Sequence, residues 1–164
     1  MYTVRCTRRL LRRMRADISH EELVPSTALG DWYANQLNVG SIRLVHFMSD
    51  RSLLSVIVPF KTVKTVTDRH IVALRELLEE LGLDPSLIGA ELNEMQSRSI
   101  GKTQSRSALG SMRDLAINAW WFIDRNPQAS MLEIAYQLAE VPCGPLGMAY
   151  PREVAATLMV ERHG

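Results

Sequence analysis

Cysteine is scarce in this 164-residue chain, with Cys6 and Cys143 the only two. Two thiols make no disulfide framework and no Cys-x-x-Cys occurs, so a reducing cytoplasm is the expected setting. Histidine is also sparse. His20, His46, His70 and His163 are dispersed, no pair has metal-ligand spacing, and neither cysteine has a histidine nearby in sequence, so no metal or cofactor is expected. Long apolar runs are missing. Leu53–Phe60 and Leu115–Ile123 are broken by polar residues, and no apolar run of signal-peptide length follows the N-terminal arginines, so no membrane partner is expected. A phosphate loop is missing as well. Gly101-Lys-Thr has Gln96, not glycine, five residues before it, and Ser97-Arg-Ser is a poor end to a hydrophobic strand.

Acidic residues are absent before Asp17, while Arg5, Arg8, Arg9, Arg12, Arg13 and Arg15 precede it. Arg98, Lys102, Arg106 and Arg113 form a second basic stretch without an acid among them. From Asp68 to Glu94 the balance reverses, with Asp68, Glu76, Glu79, Glu80, Asp84, Glu91 and Glu94 against Arg69 and Arg75. The net charge is only +1, so the whole molecule exerts no strong field, but a basic and an acidic face are expected.

The length suits one domain, residues 1–164, with a substantial core. Tyr2–Thr7 reads as a short strand and Arg8–Arg15 as a helix with Leu10, Leu11 and Met14 on one face. Leu29–Val39 is a helical turn or a strand. Ile42–Met48 and Leu53–Val58 read as a hairpin about Ser49-Asp-Arg-Ser, with the nearly continuous apolar Leu53–Val58 expected as a central strand. Asp68 is expected to cap a helix to about Leu81, and Asp84-Pro85 to open another to about Met95. Ser97–Thr103 is a short strand or an extended loop. Ser111–Asp114 and Ser130–Glu133 both read as capping boxes, and Pro151 as the start of a last helix. The expected class is α+β, a small antiparallel sheet from the N-terminal third covered on one face by C-terminal helices.

Four ordered segments carry a resemblance: Val4-Arg-Cys-Thr-Arg-Arg-Leu-Leu11, Thr27-Ala-Leu-Gly-Asp-Trp-Tyr-Ala-Asn35, Gly101-Lys-Thr-Gln-Ser-Arg-Ser-Ala-Leu-Gly-Ser-Met112, and Glu140-Val-Pro-Cys-Gly-Pro-Leu146. With these the chain resembles a bacterial domain-of-unknown-function family, and is similar also to the plasmid open-reading-frame-three-like proteins. The resemblance spans nearly the whole chain except Thr62–Met95, which matches only in general character. It implies kinship and no particular activity. Arg113 departs from the family pattern and makes this copy of the segment more basic.

The candidate binding residues are Arg8, Arg12, Arg98, Lys102, Arg106 and Arg113. Two readings compete for Ser97–Asp114. Its serines cap a helix, or the helix N-terminus and these cations receive a phosphate or carboxylate. The N-terminal run is a solvated helix face or a nucleic-acid contact. All six of its charges are arginine, whose planar fork suits phosphate. Tyr33 and Asn35 are further ligand candidates, if Asp31-Trp-Tyr-Ala-Asn forms a rim that stacks a base rather than a core strand. Trp120-Trp121-Phe122 puts aromatics on more than one side of a helix, as a doubly buried helix or an oligomer surface would require. No catalytic constellation stands out. A metal-independent enzyme would need Asp31, Asn35, Asp50, Arg106 or Cys143 to converge in a cleft.

Overall fold

A computed structural model describes residues 1–164. The α+β class holds, but the sheet is mixed rather than antiparallel. Its strands are β1 (Tyr2–Cys6), β2 (Trp32–Val39), β3 (Ile42–Ser49), β4 (Ser55–Pro59) and β5 (Arg98–Lys102), in the order β4-β3-β2-β1-β5. β1 pairs in parallel with both β2 and β5, whereas β2-β3-β4 is an antiparallel meander. The first third of the chain therefore does not complete the sheet. β5 returns to its edge after two helices.

Those helices are α2 (Val66–Glu80) and α3 (Pro85–Glu94). The others are α1 (Arg8–Met14), directly after β1, α4 (Arg106–Arg125), α5 (Met131–Ala139) and α6 (Pro151–His163). They cover both faces of the sheet, not one. On the first face Tyr2, Val4, Trp32, Phe47 and Val56 pack against Leu10 of α1, Leu74, Leu77 and Leu78 of α2, Leu92 of α3 and Met159 of α6. On the second, Tyr33, Leu44, Met48 and Ile57 pack against Met112, Leu115, Ala119 and Ile123 of α4. α5 serves both cores, with Ala135 and Ala139 on one side and Ile134 and Leu138 on the other.

That placement corrects the expectation for Leu53–Val58. The strand begins at Ser55 and sits at the sheet edge, yet Val56, Ile57 and Val58 are buried because helices pack against both sides of the sheet there. A covered edge needs the same apolar continuity as a central strand.

Two predicted caps also move. α2 begins at Val66, so Asp68 lies in its first turn and pairs with Arg98 instead of capping. α4 begins at Arg106, about one and a half turns before Ser111. Ser105 is its N-cap, its Oγ accepting the Ala108 N–H at 3.0 Å, because buried Ala108 extends the apolar stripe toward the sheet. The Asp84 cap and the Ser130–Glu133 capping box form where expected.

Candidate functional site

β1 and β5 are adjacent and parallel, and the chain leaves their carboxyl ends in opposite directions. From β1 it enters α1 on the first face. From β5 it enters α4 on the second. Such a reversal leaves a crevice at the strand ends, the usual ligand position of open parallel sheets. Here the crevice is a hollow of about 180 Å³ lined by Cys6, Arg8, Leu11, Lys102 and Thr103. Arg8 and Lys102, far apart in sequence, thus offer cations to one space. Both residues are exposed, and neither forms an ion pair within the chain.

The walls are fixed from beneath. Asp31 is buried and accepts Thr3 N–H at 2.8 Å through Oδ1 and Arg5 Nε–H at 2.9 Å through Oδ2. Arg5 also donates to the Lys102 carbonyl at 3.3 Å, pinning the end of β5 to β1. Gly101 lets these strands meet, since a Cβ there would lie 2.9 Å from Thr3 Cγ2. On the other side, Thr7 Oγ1 donates to Asn35 Oδ1 at 2.7 Å. Arg5 and Asp31 therefore position the site. A buried arginine alternating inside β1 and an acid just ahead of β2 are the sequence signals for that pair.

At the start of α4, Tyr33 Oη accepts the Ser105 N–H at 3.1 Å, while Ser105 caps Ala108. Both readings of the segment are then compatible. Two donors are engaged by the fold, and the N–H groups of Arg106 and Ser107 have no partner in the helix's own ladder.

The six predicted cations divide accordingly. Arg8 and Lys102 share the crevice. Arg12 is exposed one turn along α1 from Arg8, and Arg106 is exposed at the first position of α4. Arg98 does not join them. It lies at the amino end of β5, on the first face, and is paired with Asp68 of α2. Arg113 lies about two turns along α4, on its outer face. Tyr33 is buried and its hydroxyl is occupied by Ser105, so it is a positioning group and not a stacking platform. Asn35 is half-buried, with its carbonyl taken by Thr7 and by the Gln36 N–H.

The chemistry of the thiols is passive. Burial pushes Cys6 up to about 12, so it walls the crevice as an apolar thiol. Cys143 is raised too, first by burial and then by Asp114, and it shares a hollow of about 130 Å³ with Ser111, Asp114 and Asn118 but with none of Asp31, Asn35, Asp50 or Arg106. Asp31 and Asp50 meet through a backbone hydrogen bond, and Asp31's carboxylate is already committed to Thr3 and Arg5. No group of three or more His, Cys, Asp or Glu side chains is placed to hold a metal ion, and no helix is long and apolar enough to cross a membrane.

Residues 3–154 match the family model described as "Domain of unknown function (DUF6933)". No curated protein and no solved structure matches the chain.

Proposed function

The chain belongs to the DUF6933 family, a domain of unknown function, and from its own site we propose that it is a binding module for a phosphate-bearing ligand, seated where β1 and β5 diverge. The observation that carries the proposal is the single hollow shared by Arg8 and Lys102 at the carboxyl ends of two parallel strands. A phosphate there meets the Arg8 guanidinium, which can donate two parallel hydrogen bonds, and the Lys102 ammonium. The N–H groups of Arg106 and Ser107, at the positive end of the α4 dipole a few residues after Lys102, would add donors to a ligand that extends that far.

Nucleic acid is the ligand that would also use the rest of the basic surface. Arg9, Arg12 and Arg13 are exposed with Arg8 on α1, and Arg106 is exposed four residues after Lys102 at the start of α4. A backbone tracked by several arginines binds with an affinity that falls steeply with salt. The two buried free cysteines fit a cytoplasmic setting. We also propose a relation to the plasmid open-reading-frame-three-like proteins on the four ordered motifs, a kinship that carries no particular activity.

The test is fluorescence anisotropy with labelled single-stranded and duplex RNA and DNA at low salt, repeated across a salt series and in competition with inorganic phosphate and mononucleotides. Nucleic-acid binding that weakens with salt supports the reading. Competition by mononucleotides without oligonucleotide binding restricts it to a small phosphorylated ligand. Absence of binding to every probe rejects it.

A further inference from the structure

The outer face of α4 carries Ile117, Trp120 and Trp121 at 54%, 36% and 48% exposure, although the opposite face of the same helix is buried in the core. Arg113 and Asp114 precede this apolar patch by one turn, and Asp124 and Arg125 follow it. All four are exposed, and none forms an ion pair within the chain. The order Arg-Asp, apolar patch, Asp-Arg is a charge palindrome on one helical face.

We propose that this face is a homodimer interface, in which α4 packs antiparallel against α4 of a second copy about a two-fold axis level with Ala119. Each residue advances about 100° around the helix and about 1.5 Å along it. With Ile117 at the centre of the exposed face, Arg113, Trp120 and Asp124 then fall on one flank, and Asp114, Trp121 and Arg125 on the other. A two-fold of this kind keeps every residue on its own flank and reverses its height along the helix. Arg113 therefore comes level with Asp124 of the second copy, to within one residue's rise, and Asp114 comes level with Arg125. Ile117 and Trp121 stand at equal distances either side of Ala119, so each tryptophan packs on the partner's isoleucine. Trp120 meets its own copy near the axis. Trp121 is already braced for this, with the Arg125 guanidinium carbon 5.2 Å from its ring centroid and the Trp120 ring 5.1 Å away in a T-shaped contact.

Four complementary ion pairs flanking an aromatic centre select a second copy over an unrelated partner, since the same patch must satisfy itself in an isologous interface. One helix face is small beside the roughly 1,200–2,000 Å² of a standard interface, so the association depends on concentration.

Sedimentation equilibrium across a concentration series tests this. The doubly acidic variant Arg113→Asp/Arg125→Asp and the doubly basic variant Asp114→Arg/Asp124→Arg should each be monomeric where wild type dimerises, with helical circular dichroism unchanged. Mixed one to one, they should restore a dimer containing one chain of each. Trp121→Ala should weaken wild-type dimerisation at least tenfold. The proposal is overturned if wild type stays monomeric up to roughly 500 µM, a concentration at which even a Kd in the high-micromolar range would populate the dimer, if either charge variant dimerises alone as wild type does, or if the mixture does not associate.

Discussion

Tyr33, in the middle sheet strand β2, accepts a hydrogen bond from the backbone N–H of Ser105, the N-cap of α4, at 3.1 Å. This contact fixes the helix that follows β5 to the sheet, and so sets one side of the crevice. Tyr33→Phe keeps the buried ring and removes the acceptor. It should cost about 1 kcal/mol, the net value of a typical hydrogen bond, and Ser105→Ala about the same for a lost N-cap. The two act on one helix end, so urea denaturation of the double variant should show a loss different from the simple sum.

Histidines make the fold acid-sensitive. His46 is buried with Nε2 2.9 Å from Ser55 Oγ, and burial lowers it to about 4. His70 stacks on Phe47 at 4.3 Å and is lowered to about 3 by burial and then by Arg98. Their folded values lie below the unfolded one of about 6.5, so the unfolded chain takes up protons first. Their stabilising effect is intact above about pH 6.5 and is lost as pH falls toward 4 and 3. His70→Phe, which keeps a stacking ring, should move the acid-unfolding midpoint to lower pH by circular dichroism. An unmoved midpoint would show that His70 is not a site of proton uptake on unfolding.

Asp50 acts in the opposite sense. Partial desolvation of this surface residue, and then the carboxylate of Asp31, push it up to about 6. A folded value above the unfolded one favours the protonated native state, so this contribution is present below about pH 4 and lost as pH rises through 6. Asp50→Asn should therefore raise Tm at pH 7, and the gain should shrink toward pH 4.

Glu91 fastens three parts of the chain. Its fully buried carboxylate accepts the N–H groups of Ala28 and Leu29 at 2.8 and 3.0 Å and lies 2.7 Å from His163 Nε2 at the end of α6. Glu91→Ala leaves two buried donors unpaired and breaks the contact with His163, and should cost about 3–5 kcal/mol in chemical denaturation. Glu91→Gln, which keeps an acceptor oxygen, should cost distinctly less.

Much of this architecture was legible where local chemistry decided it. Asp84-Pro85 and Ser130–Glu133 announced their helices. Pairing was not legible, because it depends on contacts distant in sequence. Nothing in Arg98–Lys102 says that it lies parallel to β1, and that pairing alone brings Lys102 to Arg8. Arg98, from the same strand, is carried to the other end and neutralised by Asp68. The α4 start was misplaced because Ser111–Asp114 matches the capping-box pattern whereas Ser105, with Ala108 at the third helical position, does not, and only the burial of Ala108 shows that the helix begins earlier. Asp31 was one of the residues that an enzyme site would have had to gather into a cleft. Its two oxygens are instead committed to Thr3 and Arg5, a role that appears only when the strands are side by side.

The most direct test of the phosphate-site account compares three variants that each remove one positive charge: Arg8→Ala, Lys102→Ala and Arg98→Ala. Binding is read by anisotropy at fixed low salt with the tightest phosphate-bearing probe. Arg8→Ala and Lys102→Ala should each weaken binding by about 1.5–3 kcal/mol, roughly 10- to 150-fold, the range for hydrogen bonds to charged groups. Arg98→Ala, whose guanidinium is held by Asp68 away from the crevice, should leave affinity within about twofold. Equal losses in all three would contradict the account and assign binding to overall charge alone.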